Sequence, residues 1–261
     1  MRLDQELVNR GLFSSREKAR RAVMAGAVQV GGRRVDKPGS SVNESAKISV
    51  AKKAEPFVSR AGRKLAAALE HFELVPENMV CMDVGASTGG FSDCLLQQGA
   101  RRVYAIDVGY GQLDFRLRQD PRIVVMERVN ARYLAPDALP ETCDLITVDV
   151  SFISLLKIVP ALLHHLRPRG ALLTLIKPQF EAPRGSVGKG GILRDRGLRA
   201  AVVEKRVEQI SALGLESVGT IESPVRGAGG NVESLALFLK NPPKHPRSGP
   251  PSGPRFPRRP S

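Results

Sequence analysis

Val80-Cys81-Met82-Asp83-Val84-Gly85-Ala86-Ser87-Thr88-Gly89-Gly90-Phe91 is the stretch whose reading decides the fold. Residues 79–82 are apolar and read as a short buried strand, which Asp83 ends. Gly85, Gly89 and Gly90 form a glycine-rich turn, and from Ser92 the pattern becomes helical through Leu95 and Leu96. Strand, glycine turn and helix in that order make a cradle for a nucleotide-like cofactor, because glycine lets the backbone approach a ligand at a helix N-terminus. A lone glycine turn serves equally as a structural bend, so the reading depends on the rest of the chain.

Downstream, residues 103–106 form a second apolar run ending in Asp107, 24 positions after Asp83. Residues 123–126 form a third, residues 145–148 a fourth ending in Asp149, and residues 171–176 a fifth ending in Lys177. Helical patterns cover residues 63–72, 158–166 and 198–213, and residues 217–221 and 235–239 read as a terminal hairpin. This alternation predicts an α/β fold: a Rossmann-like, mostly parallel seven-stranded sheet with helices on both faces. Ligands of such sheets bind outside the carboxyl ends of the strands. Asp83, Asp107, Asp149 and Lys177 each follow an apolar run and so predict a site on that edge. A carboxylate at the Asp107 position suits a ribose diol, whose two hydroxyls it accepts.

The turn lacks the Gly-x-Gly-x-x-Gly spacing of dinucleotide sites, and Gly188-Lys189 is followed by Gly190 rather than the Ser or Thr of a P-loop. Asp83-x-Gly85-x-x-x-Gly89 instead resembles the S-adenosylmethionine loop of Rossmann-like methyltransferases. The cofactor contacts expected from it are Asp83, Gly85, Ser87, Thr88, Gly89, Gly90 and Phe91, with Asp107 on the ribose, Asn130 beside the adenine and Asp149 touching both cofactor and substrate.

The formal net charge of +14 and the isoelectric point near 10.3 are unevenly spread. Residues 1–55 hold 12 Lys and Arg against 6 acids, residues 241–261 hold 5 against none, and residues 56–240 hold 23 against 20. Basic ends on a near-neutral centre point to a polyanion, nucleic acid first. Three cysteines without paired spacing indicate neither a disulfide framework nor a metal site. The start, Met1-Arg2-Leu3-Asp4-Gln5-Glu6, has no signal-peptide core, and no apolar run approaches the ~20 residues that span a bilayer. A cytoplasmic, monomeric protein with no metal and no membrane partner is expected.

Leu3, Leu7 and Val8 sit at helical spacing before Gly11, and Ser14 with Glu17 reads as the capping box of a second helix through Ala19, Ala22 and Val23. Val28-Gln29-Val30, Gly31-Gly32 and Arg33-Arg34-Val35 read as a hairpin, with residues 47–50 a further strand. Such a small α+β unit carrying Arg2, Arg16, Arg20, Arg21, Arg33 and Arg34 suits a module that grips RNA phosphates, since arginine forks match phosphate oxygens. Arg2-Leu3-Asp4, Leu7, Gly11, Ser15-Arg16, Ala19 and Gly26-x-Val28-x-Val30 resemble the αL RNA-binding domain of a small-subunit ribosomal protein. Its expected span is residues 1–55.

As a whole, residues 1–240 resemble the TlyA (hemolysin A) family, an αL domain fused to an FtsJ-like ribose methyltransferase spanning residues 56–240. The motifs that carry the resemblance are Val58-Ser59-Arg60-Ala61-Gly62-Arg63-Lys64-Leu65, the loop of residues 83–91, Ala105-Ile106-Asp107-Val108-Gly109-Tyr110-Gly111-Gln112-Leu113, Val148-Asp149-Val150-Ser151-Phe152-Ile153-Ser154-Leu155, Ile176-Lys177-Pro178-Gln179-Phe180-Glu181 and Gly230-Asn231-Val232-Glu233. The resemblance implies a Lys-Asp-Lys-Glu catalytic tetrad at Lys64, Asp149, Lys177 and Glu233, with S-adenosyl-L-methionine as cofactor. It also implies transfer of a methyl group to a cytidine 2′-hydroxyl in ribosomal RNA, free or in a ribosomal subunit. Lys177 is expected to act as base or hydroxyl-steering group.

Arg60, Arg63, Arg184 and Lys189 complete the expected RNA contacts, and residues 180–194 read either as a lid over RNA or as an ordinary mobile loop. The chain departs from the family pattern at Glu55-Pro56-Phe57, where members often carry Arg and Trp. The resemblance links extra residues before the Arg2-Leu3-Asp4 motif with members that modify both ribosomal subunits; this chain starts directly at the motif, so the large subunit is the first expectation, with the small subunit as the alternative. Residues 241–261, with 8 prolines and 5 basic residues, read as a disordered basic tail. The rival functions are an RNA-binding protein with an inactive methyltransferase fold and, remotely, a hemolysin.

Overall fold

Alternating apolar and turn-forming segments build two compact units, Met1–Pro56 and the chain from Phe57 onward. The computed structural model describes residues 1–24, 26–50, 56–183, 185–188 and 190–241. The expectations for Arg184, Lys189 and nearly all of the basic tail lie outside the described residues.

In the first unit, α1 (Leu3–Asn9) and α2 (Arg16–Met24) precede β1 (Val28–Val30), β2 (Arg33–Arg34) and β3 (Ile48–Val50). The strands form an antiparallel sheet in the order β2-β1-β3. Gly31 and Gly32 have φ of +59° and +78° in the hairpin turn, a conformation side chains resist at two consecutive positions. Leu3, Leu7, Ala19, Val23 and Val28 make a dry core under the helices. The cap of α2 is Ser15 rather than Ser14: the Lys18 amide donates to Ser15 Oγ at 3.3 Å, and Ser14 Oγ accepts from Lys18 Nζ at 3.0 Å. The helix begins one residue later than the capping-box spacing implied, which moves the capping position to the second of two adjacent serines.

The second unit runs α3 (Ala61–His71), β4 (Val80–Val84), α4 (Gly90–Gln97), β5 (Arg102–Asp107), α5 (Phe115–Arg118), β6 (Ile123–Glu127), β7 (Cys143–Val148), α6 (Val159–Leu162), β8 (Leu166–Ile176), α7 (Pro178–Glu181), α8 (Arg196–Ser211), β9 (Leu215–Glu222) and β10 (Ser234–Lys240). Its seven strands lie in the order β6-β5-β4-β7-β8-β10-β9. The first five are mutually parallel, and β10 is antiparallel to both β8 and β9. All five residues of β4 are buried, as befits a central strand covered on both faces. Leu65, Leu69 and Leu95 of α3 and α4 fill one face; Val159, Leu162 and Ile210 of α6 and α8 fill the other.

The helix expected at 158–166 is only one turn, Val159–Leu162, preceded by a 3-10 turn at Leu155–Lys157. Leu166 already enters β8, whose early residues Arg167 to Gly170 pass an irregular stretch before the ladder with β7 resumes at Ala171. Among the described residues no helix is long and apolar enough to cross a membrane, and no group of three or more His, Cys, Asp or Glu is placed to hold a metal ion.

Candidate active site

The carboxyl ends of β4, β5, β7 and β8 converge on one edge, and the start of β10 meets them there because it runs the opposite way. Asp149 and Lys177 directly follow β7 and β8. The β8–β10 ladder ends on the pair Ile176 and Ser234, so Lys177 and Glu233 are the next facing positions.

Asp83 departs from expectation. It lies inside β4, not at its end, and is fully buried. Ser92 Oγ donates to its Oδ2 at 2.7 Å and Thr147 Oγ1 to its Oδ1 at 3.2 Å, so it joins β4 to α4 and β7 beneath the loop. Burial pushes its carboxyl up to about 7, a rise opposed by the Ser92 hydrogen bond and reinforced by the nearby Asp149 charge. Phe91 is likewise sealed into the core with 2% exposure, forming wall rather than rim.

Above Asp83 the loop makes a close approach. Gly85 has φ +84°, and a Cβ there would sit 2.4 Å from the Asp149 carbonyl oxygen. Ser87 is also left-handed, at φ +48°, and its amide donates to Asp107 Oδ2 at 2.8 Å. Asp107 Oδ1 accepts from the Gly109 amide at 2.7 Å, so this carboxylate organises two turns while each oxygen retains a further lone pair. Asn130 uses its side-chain oxygen to cap the turn Ala131–Tyr133, accepting from the Arg132 amide at 3.1 Å.

These residues border two adjoining cavities. The larger, about 530 Å³, has apolar walls from Val84, Ile106, Val129 and Ile158, with Asp107, Asn130 and Asp149 among its polar points. The smaller, about 240 Å³, is lined by Ser59, Thr88, Phe91, Asp149, Ser151 and Lys177 among others. A largely apolar slot with a few polar points fits a nucleoside, and the small polar pocket beside the glycine loop fits an amino-acid group better than a polyphosphate, which would call for more than one cation. S-adenosylmethionine has that shape, and the residues present fit it. A larger groove of about 650 Å³ lies between α8 and the β9–β10 edge, away from Asp149 and the glycine loop.

The four tetrad positions form two ion pairs. Lys177 Nζ lies 2.6 Å from Asp149 Oδ1 and donates to Ser151 Oγ at 2.9 Å. Lys64 Nζ donates to Glu233 Oε2 at 2.6 Å with both side chains buried. Each ammonium therefore faces its own carboxylate. Of the basic cluster at the start of α3, Lys64 turns inward while Arg60 and Arg63 stay exposed. The Val58 amide donates to Asp93 Oδ2 at 2.7 Å, which ties the segment carrying Ser59 to α4.

Ser59, Gln112, Ser151, Phe152 and Ile153 also line the cavities but were not singled out from the sequence as site residues. Their signal was present in the quoted motifs, yet side chains without charge carry no mark that separates lining from packing. In the first unit, Arg2 and Arg16 both pair with the buried Asp4, at 3.1 and 3.0 Å, and the Arg2 hydrogen bond leads in holding that carboxyl below its usual range. Arg21 pairs with exposed Glu17, and Arg20, Arg33 and Arg34 lie on the surface. Arg2 and Arg16 thus anchor Asp4 while more than half of each arginine side chain stays exposed.

Residues 57–239 match the FtsJ-like methyltransferase family, and residues 1–48 match the S4 domain. The chain belongs to the FtsJ-like methyltransferase family. It is 47% identical over 235 residues to the candidate rRNA methyltransferase YqxC of Bacillus subtilis, covering 90% of this chain and 84% of that protein. It is 45% identical over 240 residues to the 16S/23S rRNA (cytidine-2'-O)-methyltransferase TlyA of Mycobacterium tuberculosis, covering 92% and 89%. A solved structure of a candidate hemolysin from Streptococcus thermophilus superposes with a TM-score of 0.73 at 42% identity, covering 92% of this chain and 88% of that one. In this FtsJ-like chain the glycine at position 85 is a sharp test of the loop. Gly85→Ala is expected to weaken S-adenosylhomocysteine binding at least about tenfold in calorimetry, because the Cβ must displace the backbone at Asp149 and φ is unfavourable for alanine.

Proposed function

We propose that this chain is an S-adenosylmethionine-dependent methyltransferase that modifies the 2′-hydroxyl of a cytidine in ribosomal RNA. The observation that carries the reading is Lys177, held between Asp149 and Ser151 in the polar pocket that adjoins the nucleoside-shaped cavity. The family match and the printed name of the Mycobacterium tuberculosis relative support the reaction and the RNA target.

The bound cofactor supplies a methyl group on a sulfonium that is already a good leaving group. A ribose hydroxyl is a weak nucleophile until its proton is drawn off, so the protein has to align one oxygen and manage one proton. Lys177 meets the hydroxyl, Asp149 sets the direction of its ammonium or amine, and the Lys64–Glu233 pair ties α3 to the start of β10. Asp107 and Asn130 take the ribose and adenine, and residues 85–90 take the amino-acid end.

The S4 unit recruits RNA, and the division of labour falls near residue 56. Arg20 and Arg33 are among its surface charges, and replacing both with alanine is expected to lower affinity for a ribosomal RNA fragment about tenfold. The slope of log affinity against log salt should fall by about 2, since each lost phosphate contact removes about 1. A filter-binding salt series reads both; an unchanged slope places the RNA elsewhere. The enzyme itself is tested by supplying isotope-labelled S-adenosylmethionine with ribosomal subunits from cells lacking the protein. Label in the RNA supports the proposal. Cofactor binding without transfer to RNA supports the rival, a binding protein with an inactive methyltransferase fold.

A further inference from the structure

Glu181 is a carboxylate that the proposed chemistry does not use, yet it is nearly sealed from water, with 2% side-chain exposure beside an Arg206 side chain at 10%. A buried ion pair is a poor source of stability, because apolar residues of similar volume often do as well. What a carboxylate offers that a methyl group does not is direction, and Glu181 uses its two oxygens on two different segments. Oε1 accepts from the Leu155 amide at 2.8 Å, and Oε2 lies 2.8 Å from Arg206 Nη2 on α8. Arg206 is steadied in turn by Gln209, whose Oε1 accepts from Nη1 at 3.0 Å.

Glu181 ends α7, the short turn that starts directly after Lys177. Leu155 opens a 3-10 turn, so its amide has no partner within that turn and needs an acceptor from outside. The segment between Asp149 and Leu155 is therefore held at both ends. At its start the Asp149 amide donates to the Val84 carbonyl at 2.9 Å. At its end the Leu155 amide donates to Glu181. Between the two lie Ser151, which accepts from Lys177, and Phe152, which lines the cofactor cavity with its backbone at φ +64°. A left-handed phenylalanine is strained and persists only where its flanks are fixed. Its ring lies 4.9 Å from that of Phe180, again on α7.

We infer that Glu181 is a positioning residue: through the Leu155 amide it sets segment 149–155 against α7, and so fixes Lys177, Asp149 and Ser151 relative to one another and to the cofactor wall. The inference rests on the methyltransferase reading. Arg206 is the counter-charge that lets the carboxylate be buried.

The test compares two double variants of the full-length protein, both lacking the ion pair. Glu181→Ala/Arg206→Met leaves the Leu155 amide without an acceptor, whereas Glu181→Gln/Arg206→Met returns a carbonyl oxygen at that place. Thermal midpoint, S-adenosylhomocysteine affinity by calorimetry and kcat on ribosomal subunits are measured for each. The alanine pair is expected to lose about 100-fold in kcat and about tenfold in affinity, the scale of a small misplacement of reacting groups. The glutamine pair should recover at least about tenfold of the kcat loss and most of the affinity, at a similar thermal midpoint. Equal losses in the two pairs, or an alanine pair that matches wild type, overturn the inference. Should the alanine pair not fold, Glu181→Asp keeps the charge but shortens the reach by one methylene, and should show the alanine pair's losses; wild-type values there overturn the inference equally. Wild-type protein that neither binds the cofactor product nor transfers a methyl group overturns the methyltransferase reading, and the inference with it.

Discussion

Lys177→Ala is expected to abolish methyl transfer, by about 10²–10⁴-fold in kcat, while S-adenosylhomocysteine affinity stays within about threefold. Lys177 borders the small pocket but not the nucleoside cavity, so the change removes the group that meets the hydroxyl and leaves most of the cofactor's contacts. Some stability is lost as well, because Asp149 keeps its charge without its partner at 2.6 Å. Single-turnover transfer at saturating cofactor separates this from a folding effect, with calorimetry as the control. Lys177→Arg then distinguishes the two roles open to the residue. A guanidinium cannot give up its proton, so a base predicts an arginine variant as inactive as alanine, whereas a steering cation predicts partial activity. Full activity in the alanine variant would remove Lys177 from the mechanism.

Asp83→Asn is expected to flatten the pH dependence of stability. The folded protein raises this carboxyl from 3.8 to about 7, so the native state binds the proton more tightly than the unfolded chain does. The stabilisation is complete below the unfolded value and is lost as pH rises through the folded one, at about 1.4 kcal/mol per pH unit in between. Between pH 5.5 and 8, wild type should therefore lose roughly 2 kcal/mol more unfolding free energy than the asparagine variant. Urea titrations of both proteins at the two pH values read the difference directly, since all other titrations are common to them. Parallel losses would show that Asp83 is ionised in the fold across this range.

The mostly parallel sheet and its two covered faces were legible because the central strands are continuous apolar runs, the mark of burial on both sides. Charged residues just past those runs located the edge, which is why Asp149 and Lys177 emerge from sequence alone. Asp83 shows the limit of that logic. One position decides whether a carboxylate leaves the sheet or stays within it, and hydropathy does not resolve a single position at a strand end. Ser92 and Thr147, the hydroxyls that make its burial tolerable, look like ordinary helix and strand residues in the sequence. The ion pairs of the first unit stayed hidden for a related reason. Charge count marks Arg2 and Arg16 as phosphate ligands, and only the fold brings Asp4 between them. Helix length near residue 160 was overestimated because Leu162, Leu163 and Leu166 suit either a helix face or the entry to a buried strand.

Lys64 and Glu233 lie 169 positions apart in the chain and meet through a buried hydrogen bond. No spacing rule reaches that far; the pairing was anticipated only through resemblance to a family whose tetrad occupies these positions. The match of residues 57–239 to the FtsJ-like family agrees with that resemblance.

The most direct measurement is nucleoside mass spectrometry of ribosomal RNA from cells lacking the protein, before and after incubation of their subunits with purified enzyme and S-adenosylmethionine. The proposed reaction predicts the appearance of 2′-O-methylcytidine, in wild-type incubations and not with Lys177→Ala. Methylation on a base carbon or nitrogen, or an unchanged nucleoside profile with cofactor bound, would contradict it.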